Sequence, residues 1–292
     1  MMSSSKATLT FNLLLRAAHI EPKQVYLVRH KVTRVPKSKH SSPYILWSSE
    51  NTRSRFEVYQ SLQGKGKSKR KDVFGKRSIL ASFVVTPWEE TLFVGLYRKL
   101  EKEKLPADLR ECPVSGERVS DRTHHYYRLQ LDERMSELRG KVAVDWGKSF
   151  RGWVQRADKQ DKRVLELRGE IIERPFPGFR KFEWKIGAIE DIPKEWKTQL
   201  TQHKGIYLQQ CTKCGRLYVG KADGEEGFMG RFREYAKSTD GGNMGMKAHS
   251  HKDYTVRILE VFPIRHLDDI SKIESEWKKT LGTCEWGLNR NP

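Results

Sequence analysis

Apolar and polar positions alternate with two different periods along the chain. Leu9, Phe11, Leu13, Leu14, Ala17 and Ala18 follow helical spacing, and Pro22 limits any extension, so the pattern predicts a short helix within 8–19. Val25-Tyr26-Leu27-Val28 reads as a strand and 33–42 as a polar loop. From Ile79 the pattern changes. Ile79–Val85 and Leu92–Tyr97 are β-rich runs around a Pro-Trp-Glu-Glu turn, which predicts a hairpin. Further strands are expected over 126–131, 142–146 and 164–172. Short strands with only brief helices between them predict a small twisted barrel or sandwich.

After the Pro175–Gly178 turn, 182–189 is expected to add one last strand, and 192–202, opened by Pro193, to form a linker or short helix. The domain boundary is placed near 195. Beyond it, strands are expected at Tyr207–Gln209 and Leu217–Gly220, with the two tyrosines facing one another across a Cys-Thr-Lys-Cys-Gly turn. A glycine-rich loop over 221–230 leads to a helical stretch, 231–237, that sets Arg231 and Tyr235 on one face. A third strand over 253–262 and a helix over 267–281 carrying Glu274 follow. The class expected is α+β: a β-rich, barrel-like recognition domain (1–195), then a small three-stranded α/β domain (196–292).

Composition narrows the function. Apolar residues make up 37% and charged ones 32% of the chain, and no apolar run approaches the ~18 to 20 residues of a membrane span. The short stretch Phe11–Leu15, closed by Arg16, is too brief for a signal-peptide core. Four scattered cysteines do not make a disulfide framework, so a cytoplasmic setting is expected. Lys and Arg outnumber Asp and Glu by 56 to 37, a formal charge of +19 that favours a polyanionic partner.

Five features in the last third arrive in a telling order: Gly205-Ile206-Tyr207, Tyr218-Val219-Gly220, a glycine-containing loop ahead of Arg231, an acidic helix around Glu274, and Asn289. In this order they resemble the GIY-YIG nuclease superfamily over 204–292. The resemblance implies a domain that binds one divalent ion, Mg²⁺ or Mn²⁺, through Glu274 and hydrolyses a phosphodiester with water, leaving a 5′-phosphate and a 3′-hydroxyl. It also implies that Tyr207 is the base or a base-orienting phenol, that Arg231 stabilises charge at phosphorus, and that Tyr218 orients water or phosphate. Asn289 would hold the active-site helix or a phosphate. Many members carry His four residues after the catalytic arginine, where this chain has Tyr235; His249 and His251 are the loop residues able to substitute.

The chemistry agrees with these residue types. Mg²⁺ takes hard oxygen ligands and keeps several waters, so one carboxylate suffices when the substrate supplies more oxygens. Glu276 competes with Glu274, but Glu274 is preferred because Trp277 and Leu281 then follow at three and seven residues, toward the core. Charge on phosphoryl oxygens calls for a bidentate guanidinium, which Arg231 supplies. A tyrosine with an ordinary pKa of about 10 acts as a base near neutrality only where cations stabilise its phenolate, and Lys221 and Arg231 are the candidates. Cys211-Thr-Lys-Cys214 has the spacing of half a zinc site; with no second pair in sequence to complete it, the pair reads as turn residues.

The β-rich middle of the chain resembles the barrels of PUA-type modified-base readers. On that resemblance Trp88, Trp146 and Trp153 would cage a flipped base, with Asp145 or Gln155 reading its edge; the competing reading makes these tryptophans core residues. Arg53, Arg55, Lys65, Lys67, Lys69, Arg70 and Lys71 would grip phosphates. The expected protein is a metal-dependent endonuclease of restriction or phage-defence type acting on double-stranded DNA, dimeric if it cuts both strands, and selective for modified bases if the reader resemblance holds. A repair or homing-type nicking enzyme and an inactive nucleic-acid-binding protein are the alternatives.

Overall fold

Near-continuous apolar runs such as Ile79–Val85 form strands covered on both faces. The computed structural model describes residues 8–31, 42–65, 77–147, 152–171, 174–238, 240–262 and 269–291. The chain divides into two units, 1–172 and 173–292.

The first unit runs α1 (Phe11–Ala17), β1 (Val25–His30), α2 (Pro43–Ser48), α3 (Glu50–Ser61), β2 (Leu62–Gly64), β3 (Ile79–Val85), β4 (Thr91–Glu103), β5 (His124–Leu131), β6 (Val142–Val144), β7 (Val154–Arg156) and β8 (Val164–Leu167). The strands make one mixed sheet, curled into half a barrel, with the order β2-β5-β4-β3-β1-β7; β6 joins β4 to β8. Strand β1 is parallel to β3, and the other pairings are antiparallel.

Phe11 and Leu15, one helical turn apart, bury α1 against Ala81, Phe83, Phe93 and Trp146. A second cluster places Tyr44, Leu46, Trp47 and Phe56 of α2 and α3 against Val84, Leu92 and Val94. Alternate residues of β3 and β4 thus enter different cores, so the expected barrel or sandwich takes the form of an open, curled half-barrel sheet with helices on both sides. The N-terminal helix, the β3–β4 hairpin and the strands around 126–131, 142–146 and 164–172 agree with the pattern, the last two shortened to three and four residues. Of the basic run, Lys67, Lys69, Arg70 and Lys71 lie outside the described residues, as do 33–41 of the expected polar loop.

The second unit contains β9 (Glu183–Lys185), α4 (Lys194–Gln202), β10 (Lys204–Cys211), β11 (Leu217–Ala222), α5 (Gly227–Ser238), α6 (Met244–Ala248), β12 (Tyr254–Phe262) and α7 (Ile270–Thr280). All pairings are antiparallel in the order β11-β10-β12-β9. The sheet has four strands among the described residues, where three were expected. Its fourth is β9: residues 183–185 pair with Thr255–Arg257 and therefore belong to this unit, together with α4, and not to the first. One face packs Ile206, Val219 and Phe262 against Ile270, Ile273 and Trp277 of α7. On α5, Phe232 lies parallel to Phe182 at 6.2 Å and edge-on to Tyr207 at 5.4 Å. Among the described residues no helix is long and apolar enough to cross a membrane.

Candidate active site

The register of the β10–β11 hairpin sets the geometry. Tyr207 lies opposite Gly220, and Gln209 opposite Tyr218. The tyrosines are therefore diagonal neighbours, ring centroids 6.4 Å apart, and not directly paired as expected. A Cβ at Gly220 would overlap the Tyr207 hydroxyl and come within 2.6 Å of its Cζ, so only glycine lets the Tyr207 ring lie across β11. Gly205 has a similar duty: a Cβ there would overlap the Glu260 carbonyl oxygen and lie 2.8 Å from Phe228 Cζ.

Helix α5 brings its cation to this ring. The Nε of Arg231 donates to Tyr207 Oη at 3.2 Å, its Nη2 donates to Tyr235 Oη at 3.2 Å, and its Nη1 donates to Glu234 Oε2. Tyr207 in turn donates to Tyr235 Oη at 3.0 Å. The guanidinium also lies over the Tyr235 ring, 4.8 Å from its centroid, which places Arg231 and Tyr235 on one helical face as their spacing predicts. Tyr207 and Tyr235 are almost wholly buried.

Burial decides their protonation. Desolvation, reinforced by the neighbouring Tyr218, pushes the Tyr207 phenol far above the ordinary tyrosine value, and the opposing pull of Arg231 is too weak to reverse it. Tyr235 shifts the same way, again chiefly through burial. Burial lowers the pKa of Arg231, but the two phenols and Glu234 outweigh it and keep the guanidinium charged. The expectation that Arg231 and Lys221 make Tyr207 a phenolate base is thus corrected. Lys221 donates instead to Ser271 Oγ at 2.9 Å and pairs with Asp223 at 2.8 Å.

Tyr218, Lys221, Asp223, Arg231, Glu234 and Glu274 line a cleft of about 650 Å³. Glu274 enters it from α7, its side chain only 14% exposed and 3.4 Å from Lys278 Nζ. Glu276 is exposed and is not among the lining residues, while Trp277 turns inward and donates its indole N–H to Glu260 at 2.9 Å. Tyr218 is the tyrosine that reaches the cleft, and Asn243 Nδ2 donates to its hydroxyl at 3.4 Å. The pattern missed Asn243 and Ser271, because an Asn or Ser in a loop or first helical turn carries no signal of a distant partner.

Asn289 does something other than expected. Its Oδ1 accepts from Val219 N at 2.9 Å and its Nδ2 donates to Val219 O at 2.8 Å. With Leu288 N donating to Leu217 O at 2.8 Å, this segment closes the free edge of β11; the Asn289 side-chain amide bonds neither to α7 nor into the cleft, while its main-chain N–H donates at 3.1 Å to Thr283 O in the turn that follows α7. His249 is likewise engaged elsewhere, with Nε2 3.3 Å from Cys214 Sγ, and neither it nor His251 lines the cleft.

In the first unit, Trp88 and Trp146 line a second cleft of about 360 Å³ with Arg29 and Asp145, whereas Trp153 and Gln155 are not among its lining residues. Trp146 is buried against Phe83 at 5.5 Å, as the core reading requires, and its indole N–H donates to Gly152 O at 3.1 Å. Trp153 is 43% exposed. Arg53 donates to Trp47 O at 3.1 Å and Lys65 to Asp121 O, while Arg55 is exposed beside Arg110.

No family model and no curated protein matches the sequence. Among solved structures, this chain is similar to the catalytic domain of homing endonuclease I-TevI at 26% identity. The match covers 30% of this chain and 99% of that one, with a TM-score of 0.25.

Proposed function

We propose that the second unit is a metal-dependent DNA endonuclease, and that the cleft lined by Tyr218, Lys221, Arg231 and Glu274 hydrolyses the phosphodiester. One observation carries this reading: an arginine anchored by buried phenols shares a cleft with a half-buried glutamate from a different helix. Of the five N–H groups of Arg231, one each on Nε, Nη1 and Nη2 is engaged, which leaves one on Nη1 and one on Nη2 for a phosphate. Two such donors match the bidentate geometry of a phosphoryl group. The Glu234 contact is exposed enough for a phosphate to displace it.

Tyr207 and Tyr235 position Arg231 as neutral phenols, and neither moves a proton. Tyr218 presents its hydroxyl to the cleft and orients water or a phosphate oxygen, steadied by Asn243. The acidic groups lining the cleft offer oxygen atoms alone, a donor set that suits a hard divalent ion, and Glu274 is the residue that would hold it. Bound there, Mg²⁺ or Mn²⁺ supplies Lewis acidity and lowers the pKa of its water. A chain charge of +19 suits a duplex substrate.

A single site cuts one strand, so a monomer nicks and two copies are needed to break both strands. In a restriction or phage-defence setting, the first unit selects the target; its cleft of Trp88, Trp146, Asp145 and Arg29 has the aromatic and polar composition that takes a flipped, modified base. Relaxation of supercoiled plasmid with Mg²⁺ tests the chemistry. Wild type is expected to give nicked circles, and Glu274→Ala and Arg231→Ala to lose on the order of 100-fold or more. Unchanged cutting in both variants removes the site assignment. Equal cleavage of DNA with cytosine, methylcytosine and hydroxymethylcytosine removes the reader assignment.

A further inference from the structure

The turn between β10 and β11 carries a cluster that the nuclease chemistry leaves unused. Cys211 ends β10, and the chain reverses through Thr212–Gly215 with Cys211 N donating to Arg216 O at 2.9 Å and Gly215 N donating to Cys211 O at 3.0 Å. Gly215 takes φ 73°, the left-handed conformation that lets Cys214 fold back beside Cys211. Cys211 pairs in register with Tyr254 of β12, and that pairing delivers the loop before β12 to the same place. His249 sits there, just beyond α6, with Nε2 3.3 Å from Cys214 Sγ.

The imidazole is fixed as a ligand by its other nitrogen. Nδ1 lies 2.9 Å from the carbonyl oxygen of His251 and 2.9 Å from Tyr254 Oη. A carbonyl only accepts, so Nδ1 carries the proton and Nε2 presents a lone pair toward the sulfur. A backbone carbonyl orienting a histidine this way is the usual outer support of a metal-bound imidazole.

We infer that Cys211 Sγ, Cys214 Sγ and His249 Nε2 bind a zinc ion that clamps the β10–β11 turn to the α6–β12 connection. The three ligand atoms lie within 4.8 Å of one another. Tetrahedral zinc, with bonds of about 2.3 Å to sulfur and about 2.0 Å to nitrogen, needs ligand atoms roughly 3.5–3.8 Å apart, which small side-chain adjustments from this arrangement would reach. Cys214 is exposed, and the His251 ring lies beside the cluster, its centroid 5.5 Å from that of His249. Two thiolates and an imidazole select a soft ion, so this site and the oxygen-lined cleft at Glu274 take different metals. The inference stands on the thiol and imidazole geometry and does not depend on the nuclease reading.

The clamp bears on that cleft all the same. The turn it would hold joins the strands of Tyr207 and Tyr218, and α6 follows directly on Asn243, the residue that donates to Tyr218.

Full-length protein purified without added metal, then stripped and titrated with Co²⁺ and Zn²⁺, tests the inference. Wild type is expected to retain about one zinc per chain and, with Co²⁺, to show sulfur-to-metal charge transfer and the visible bands of tetrahedral cobalt. Cys214→Ser and His249→Gln are expected to bind on the order of 100-fold more weakly, whereas Cys284→Ser and Glu274→Ala keep the wild-type spectrum. Alkylation provides a readout independent of the variants' folding: Zn²⁺ protects the exposed thiol of Cys214 in the wild type, and a chelator returns it to the reagent. Absence of a charge-transfer band in wild type, equal alkylation with and without Zn²⁺, or weakening by Cys284→Ser as large as that by Cys214→Ser would each overturn it. Loss of plasmid cleavage in Glu274→Ala with an intact cobalt spectrum separates this site from the catalytic one.

Discussion

The Nε of Arg231 reaches the hydroxyl of Tyr207 at 3.2 Å, and that hydroxyl is shut off from solvent. A phenol in this position holds a cation still and has no route to take a proton from water. Tyr207→Phe is therefore expected to lower kcat on the order of 10- to 100-fold through a misplaced guanidinium, leaving KM nearly unchanged. Because the raised pKa keeps Tyr207 protonated through the working range, the pH profiles of wild type and Tyr207→Phe should have the same limbs. Steady-state rates between about pH 6 and 10 check this, and a limb lost in the variant sinks the positioning role.

Arg231→Lys should fail almost as badly as Arg231→Ala. An ammonium cannot engage Tyr207, Tyr235 and Glu234 at once and still present two parallel donors. Cleavage assays on both variants decide the point, and near-wild-type activity in Arg231→Lys contradicts it.

Gly220→Ala places a methyl group where the Tyr207 ring lies. The ring or the strand must shift, at a cost of about 1–3 kcal/mol in stability and with loss of the Arg231 geometry. Thermal unfolding and cleavage should fall together, and in a Tyr207→Ala background, itself destabilised by the lost aromatic ring, Gly220→Ala should cost almost nothing further.

His30 supplies a pH test for the first unit. Burial beside Phe56 and Tyr59 pushes its pKa down to about 3, so the folded chain resists the proton that the unfolded chain takes up below about pH 6.5. The unfolded state then binds more protons, and stability falls with acidification by up to about 1.4 kcal/mol per pH unit from 6.5 toward 3. Urea unfolding of wild type and His30→Gln at about pH 7 and pH 5 should show a shallower loss in the variant. Parallel losses would assign the acid sensitivity to other groups.

Much of the second unit was legible because its signals are local. Gly220, Tyr207, Arg231 and Tyr235 declare themselves by residue type and short spacing, and Glu274 by the apolar residues that follow it on α7. Burial is not local, and it overturned the phenolate reading of Tyr207. Asn289 was legible as a residue but not as a partner of Val219, 70 positions away. The same holds for His249, whose approach to Cys214 exists only because β10 pairs with β12. In the first unit, α3 was missed because its twelve residues are mostly polar and only Phe56, Gln60 and Ser61 are buried. Strand β9 was assigned to the wrong sheet because three residues carry no information about their neighbours.

The edge of β11 is finished by Leu288 and Asn289, residues made long after the strands they complete. On the ribosome, Tyr207, Tyr218, Arg231 and Glu274 all emerge before the strap that fixes their hairpin. A cut in the chain between α7 and Leu288 would leave Tyr218 on an open edge strand while keeping Tyr207, Arg231 and Glu274 in the sequence.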